Sequence, residues 1–313
     1  MMEIRLLKYA LEVYKKQSFT KAAHSLLISQ PSLSQQIAKL EQDLGVSLFF
    51  RGNGPVTPTP EGIRFINKAE KIIKLNEDLE REMREQKEGI GRELTIGTTA
   101  ITGGHILPPL LHLYRERYPN VTVRLVEEST EKLTDLTVRG LVDISILPLP
   151  IEDSHLTTQT ILTEPILLAL PRVQKEWMDG KLKNLLHDAS GEMISGAISL
   201  SDLANAPFIL LKKGYGFRRT VLEICAENGF QPNVLYETSS IEMAQSLTSY
   251  GLGITLVPEM VINHYTGRLS NPPLYMYLDS CPTRTLVFAY HKERYLSLTA
   301  QNLINSYLES IYE

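Results

Sequence analysis

The run FTKAAHSLLISQPSLSQQIAKLEQDLGVSLFFR, Phe19 to Arg51, reads as two short helices joined by a tight turn. Ser18 or Thr20 can cap the first, Lys21 to Leu26, whose Ala22 and Ala23 are small enough to let another helix approach closely. Ser29 supplies a fresh cap, and Pro31 stands near the first helical position, where its missing N–H costs nothing. Along this second helix Leu33, Ile37, Leu40 and Leu44 form one buried stripe at helical spacing, while Ser32, Gln35, Gln36 and Lys39 point elsewhere. Gly45 ends it. Upstream, Leu6, Leu7, Ala10, Val13 and Tyr14 give Glu3 to Lys16 an apolar face, which predicts a further helix. An amide-rich face on the later helix of such a pair suits the major groove, because Gln can bond adenine N6 and N7 together. An ordinary helical hairpin with a solvated face has the same spacing, so the periodicity alone leaves both readings open.

Composition bounds the rest. At 313 residues the chain exceeds the roughly 100–200 of a single domain, and 43% hydrophobic with 22% charged residues is ordinary for a globular protein. The net charge of −4 divides unevenly: residues 1–66 hold 8 Lys+Arg against 5 Asp+Glu, and the remainder 24 against 31. Only the N-terminal part suits a polyanion. The apolar stretch Ile161 to Leu170 is broken by Glu164 and Pro165 and falls short of the ~20 residues that span a bilayer, so no membrane partner is expected. The N-terminus lacks the pattern of a secretory signal, which places the protein in the cytoplasm. Cys225 and Cys281 lack CxxC spacing and read as core thiols in a reducing compartment. His105 and His112 share a predicted helix face without a third ligand, and neither metal nor cofactor is expected. GxSxG, Walker A and HExxH are absent. The chain is therefore not read as an enzyme; the rival readings, an α/β enzyme or a secreted solute-binding protein, each lack their required feature.

The markers Ala22, Ala23, Ser29, Gln30, Pro31, Ser34, Leu40, Glu41, Leu44, Gly45, Leu48, Phe49 and Arg51 resemble the signature of LysR-type transcription regulators. The resemblance implies a winged helix-turn-helix in which Gln30, Pro31, Ser34 and Gln35 face the groove, with Ser29, Ser32 and Lys39 on the same surface, and Lys21 and Arg51 at phosphates. Gln35 stands where the family often has Arg. GNGPVTPTPEG, Gly52 to Gly62, fits a two-stranded wing that ends in the family's Thr-Pro-x-Gly element.

From Pro60 a long polar helix runs to about Gly89. Phe65, Ala69, Ile72, Asn76, Leu79, Met83 and Gln86 step alternately by four and three, the seam of a coiled coil, which demands a partner helix. A homodimer or homotetramer is expected. Beyond it ELTIGT, Ile106 to Tyr118, VTVRLVEE, Thr130 to Arg139 and DISIL give the β-α-β-α-β order of a parallel sheet, with hydroxyl-bearing loops at the strand ends. Those hydroxyls serve equally as helix caps or as ligand contacts.

The family's sensor resembles periplasmic solute-binding proteins, with two lobes and a ligand between them. The fold class expected is thus α/β: an all-α winged helix-turn-helix domain (1–59), a dimerising linker helix (60–89) and a two-lobed α/β effector-binding domain (90–313), with lobe I at 90–163 and 268–313 and lobe II at 164–267. By resemblance Thr99, Ile101, Thr102, Thr130 and Pro148 face the cleft from lobe I, and Gly216, Phe217, Arg218, Ser239 and Ser240 from lobe II. Arg218 suits an anionic effector if it is not simply a surface ion pair. The implied partners are double-stranded promoter DNA, an unidentified small-molecule effector and RNA polymerase. Between Pro171 and Ser199 the chain carries an extra stretch with Trp177, read as covering a lobe edge in preference to lidding the cleft.

Overall fold

The computed structural model describes residues 3–50, 54–88, 93–178, 182–183, 193–262 and 272–312. The chain forms two compact units, Met1–Gly91 with Arg139–Leu141, and Arg92–Val138 with Val142–Glu313.

In the first unit α1 (Ile4–Lys16), α2 (Phe19–Ser25) and α3 (Gln30–Leu44) enclose a core of Leu7, Ala10, Val13, Ala22, Leu33, Ile37 and Leu40. Ser18 and Ser29 cap α2 and α3, accepting the N–H groups of Lys21 and Ser32 at 3.3 Å each. Ser18 rather than Thr20 is the cap, so α2 starts earlier than predicted. Gly45 closes α3 with φ +71°, the left-handed conformation in which a missing Cβ matters. Leu44, placed in the buried stripe by spacing, is 40% exposed, because this final turn runs beyond the packed part of the stripe that ends at Leu40.

The wing is small: β1 (Phe49–Phe50) pairs antiparallel with β2 (Thr57–Pro58). Glu41 fixes its start by accepting the N–H groups of Leu48 (2.7 Å) and Phe49 (3.2 Å). Thr59 donates to the Ser47 carbonyl at 2.6 Å and accepts from Gly62 N–H at 2.9 Å, tying the wing to the start of α4 (Pro60–Glu88). A Cβ on Gly62 would overlap the Leu48 carbonyl oxygen. Gly62→Ala is therefore expected to destabilise this unit by about 1–3 kcal/mol, the usual range for overpacking against atoms that cannot move aside. Urea unfolding followed by far-ultraviolet dichroism measures it, and an unchanged midpoint refutes the tight approach.

Along α4, Ile66, Ala69 and Ile73 are buried against the unit's own core, and Phe65 packs there too. Phe65 and Ala69 thus leave the predicted seam. Ile72, Leu79 and Met83 remain 39%, 57% and 48% exposed. Asn76 donates to Glu80 at 2.9 Å. The side chain of Gln86 lies outside the described residues.

The second unit contains β3 (Glu93–Thr98), α5 (Ala100–Arg117), β4 (Thr122–Glu127), α6 (Thr130–Val138), β5 (Ile144–Pro148), β6 (Leu156–Leu170), β7 (Met193–Ile198), β8 (Pro207–Leu211), α7 (Gly216–Glu227), β9 (Asn233–Thr238), α8 (Ile241–Ser249), β10 (Thr255–Pro258), β11 (Leu274–Leu278), β12 (Thr283–His291) and α9 (Leu298–Tyr312). The three strands form the predicted parallel sheet, in the order β4-β3-β5, and β12 and β6 extend it antiparallel. Leu94, Ile96, Tyr114, Ile144, Phe288 and Leu303 fill this lobe's core, so α9 packs on lobe I.

Strand β6 departs from expectation. The predicted start of a new unit at Glu164 is the middle of one unbroken strand, whose first part pairs with β12 and whose end, Ile166 to Leu170, pairs with β10 and β11. Pro165 does not break it, because it stands opposite Thr283 at the end of the β12 ladder, where a missing N–H is tolerated. Leu274–Leu278, assigned by sequence to lobe I, pairs with β6 and β7 in the second lobe. The chain therefore returns between Leu278 and Thr283 rather than near Arg268, which lies outside the described residues. The pair β8–β9 joins β10 through a parallel bridge, Phe208 to Ile254. Met178 and Leu182, from the extra stretch, are buried in this lobe's core with Trp177 packed against it; residues 179–181 and 184–192 lie outside the description. Cys225 is buried there and its thiol is pushed up to about 12 by burial. Cys281 is exposed between β11 and β12, which corrects its reading as a core thiol.

Candidate DNA interface and effector cleft

With Leu33, Ile37 and Leu40 turned inward, the opposite face of α3 presents Gln30, Pro31, Ser32, Gln35 and Lys39 to solvent. Lys21 is exposed on α2, and Ser34 is half-buried. Ser29 is exposed with its hydroxyl accepting the Ser32 N–H as the cap. Arg51 lies outside the described residues. Gln30, Gln35 and Lys39 have no side-chain hydrogen bond to another part of the chain among the described residues, so their donors and acceptors are turned to water. Such a face, rigid underneath and unsatisfied outside, is what base-edge readout requires.

In the second unit the two lobes meet along α6 and α7. Thr130 accepts the Gly216 N–H at 3.0 Å, and Glu131 N–H donates to the Gly214 carbonyl at 3.1 Å. A Cβ on Gly216 would come within 2.8 Å of Pro148. Thr130, Pro148 and Gly216 are thus brought together where the lobes meet. Thr99, Ile101 and Thr102 are all buried at the start of α5, with Thr99 donating to Thr102 at 3.2 Å, and Ile101 packs into the core cluster of lobe II. This end of the cleft is closed by side chains.

Phe217 is buried with the Arg284 guanidinium 5.4 Å from its ring centre. Arg284 in turn bonds Glu164 through Nε at 2.8 Å, and Glu164 accepts the Met260 N–H at 2.7 Å. Their side chains are 3% and 7% exposed, so burial lowers the pKa of Arg284 from the usual range, with Glu164 opposing that shift. This ion pair stands where the two connecting strands cross between the lobes, an arrangement no sequence spacing indicated.

Arg218 is corrected. It donates to the Leu211 carbonyl at 2.5 Å and to Glu237 at 2.6 Å, both on its own lobe, and forms the surface ion pair that was the alternative reading. One helical step further, Arg219 turns toward lobe I, bonding Glu152 at 3.0 Å and the Pro150 carbonyl. Adjacent arginines in a helix point about 100° apart, so only the docking of α7 decides which one faces the other lobe. Ser240 is also corrected: its hydroxyl accepts the Met243 N–H at 3.1 Å and donates to Glu242 at 2.6 Å, the duty of a helix cap. Ser239 is exposed just ahead of it. A cavity of about 500 Å³, lined among others by Glu131, Thr134, Glu152, Asp153, Tyr215 and Arg219, opens beside the α6–α7 junction. Its volume falls in the range of small-molecule sites.

A winged helix-turn-helix followed by a two-lobed α/β sensor defines a DNA-binding transcription regulator with an effector domain. Residues 4–63 match the model of the bacterial regulatory helix-turn-helix protein, lysR family, and residues 87–311 that of the LysR substrate binding domain. The chain belongs to the LysR family of transcriptional regulators. It is 49% identical to the HTH-type transcriptional regulator YcgK of Bacillus subtilis (strain 168), over 99% of this chain and 95% of that one. It is 31% identical to the HTH-type transcriptional regulator BenM of Acinetobacter baylyi, over 87% and 86% of the two chains. The full-length crystal structure of CbnR complexed with its target DNA shares the fold, with a TM-score of 0.67 at 21% identity, covering 99% of this chain and 100% of that one.

Proposed function

We propose that the protein reads promoter DNA through the exposed face of α3 and senses a small molecule in the cleft between its two lobes, acting as a cytoplasmic regulator and not as an enzyme. The observation that carries the DNA half is the solvent-facing surface of Gln30, Pro31, Ser32, Gln35 and Lys39, whose side chains have no hydrogen-bond partner among the described residues, above a packed core. Lys21, and Arg51 by resemblance, would meet phosphates. The sensory half rests on the interlobe cavity. The domain division is 1–59, 60–89 and 90–313, with the second lobe extended to take in β11. No helix among the described residues is long and apolar enough to cross a membrane.

Two kinds of unpartnered apolar surface support a homotetramer over a dimer. One is the stripe of Ile72, Leu79 and Met83 on α4; the other is the pair of edge strands β4 and β9, where Leu125 and Leu235 are 55% and 54% exposed. Effector binding that favours one lobe arrangement would shift the assembly's geometry, and with it DNA bending and RNA polymerase contact.

Gln30→Ala is expected to lower affinity for the operator by about 1–3 kcal/mol while leaving binding to random DNA nearly unchanged. Titration of labelled duplexes at fixed salt measures both. An equal loss on the two duplexes would remove Gln30 from base readout.

A further inference from the structure

The charges around the interlobe cavity narrow the effector's chemical class, given that this cavity is the sensory site proposed above. Arg219 is the single cation among the described residues lining it, against the carboxylates of Glu131, Glu152 and Asp153. Arg219 belongs to the second lobe; the three carboxylates belong to the first. Two of them already have partners. Glu152 meets Arg219 at 3.0 Å, and Asp153 accepts from the His155 N–H at 2.8 Å with the His155 ring nitrogen at 2.9 Å. The His155 backbone N–H holds the Asp153 carboxyl below its ordinary pKa, so it stays charged. Glu131 meets no cation among the described residues.

The Glu152 side chain is 82% exposed, so its hold on Arg219 is screened and readily exchanged. A ligand carboxylate can replace it with better, two-pronged geometry. A simple acid doing so would still face the uncompensated charge of Glu131 with Asp153 nearby, a repulsive surrounding for an anion. A simple amine would leave Arg219 with the Pro150 carbonyl and two exposed carboxylates, Glu152 and, at 3.8 Å, Glu223, whose hold is screened. We propose that the effector is a small zwitterion of the amino-acid class, its carboxylate on Arg219 in place of Glu152 and its ammonium group toward Glu131 and Asp153. Tyr215 offers an aromatic wall for the ligand's side chain. A molecule satisfied at both ends joins the lobes, and so stabilises the closed arrangement selectively.

The test uses the full-length protein in a thermal-shift panel of the standard amino acids. Each is set beside the acid lacking the amino group and the amine lacking the carboxylate: L-leucine, for example, beside isocaproate and isoamylamine. At least one amino acid is expected to raise the melting temperature by several degrees, with both truncated analogues at least about tenfold weaker. Arg219→Met and Glu131→Gln are each expected to weaken that response by about tenfold or more, whereas Glu131→Asp keeps the charge and retains binding. Urea unfolding of each ligand-free variant separates lost binding from lost folding. If a simple carboxylate binds and Glu131→Gln tightens it, the zwitterion is wrong while the cavity stands as the sensory site. An amino acid response indifferent to both substitutions overturns the cavity itself. A panel in which no amino acid shifts the melt overturns the proposal.

Discussion

Arg284→Met is expected to lower the stability of the two-lobed unit by about 3–5 kcal/mol, because it strands the Glu164 carboxylate, 7% exposed, without its cation. For a unit of this size that corresponds to a fall in melting temperature of roughly 10 °C. Removing one partner is worse than removing both. Glu164→Leu combined with Arg284→Met should recover most of the loss, since apolar side chains of similar volume need no desolvated charge to be matched. The Met260 N–H, which now donates to Glu164, is the residual cost of the double substitution. Trp177, the single tryptophan of the chain, packs on the second lobe's core, and its fluorescence reports the transition directly. Additive losses in the double variant would mean that the two groups do not act as a pair.

Leu79→Glu is expected to raise the dissociation constant of the α4-mediated dimer by at least about a hundredfold. Leu79 is 57% exposed in the single chain and falls in register with Ile72 and Met83. In a symmetric helix pair one substitution acts twice. Burial of a leucine contributes about 1.5–3 kcal/mol, and each chain loses that while gaining a charge in the seam. Sedimentation velocity across a concentration series measures the change, and operator affinity should fall with it, because a dimer offers two recognition helices to one palindromic site. An unchanged oligomer distribution would place the interface elsewhere.

The N-terminal unit was legible almost residue by residue, since its signals are local. A serine cap, a proline in the first turn, a stripe at helical spacing and a closing glycine each act within a few residues, and on α3 all but the last member of the stripe, Leu44, fall where they were expected. Leu44 and Ala69 were misread for a shared reason: periodicity tells which side of a helix is apolar, not what that side meets. Ala69 is buried within its own chain, whereas Leu44 is 40% exposed. The cleft was legible only in part. Thr130, Pro148 and Gly216 converge because strand ends and helix starts converge in any such sheet. Choosing Arg219 over Arg218, or pairing Glu164 with Arg284 across 120 positions, depends on the docking of elements far apart in the chain. The return at Leu278 to Thr283 was missed because a strand carries no local mark of the lobe it joins.

Strand β6 is hydrogen-bonded from Leu156 to Leu170 across the boundary between the lobes. The lobes do not hang on a loose tether; they share this strand as a bar, paired on both sides of one register shift at Leu286/Val287 and steadied by the short crossing at residues 279–282. A stiff bar makes a poor gate but a faithful lever: a slight rotation where a ligand seats is handed on, not absorbed, and grows with distance toward the outer edges of both lobes. In such a receptor the message is torque.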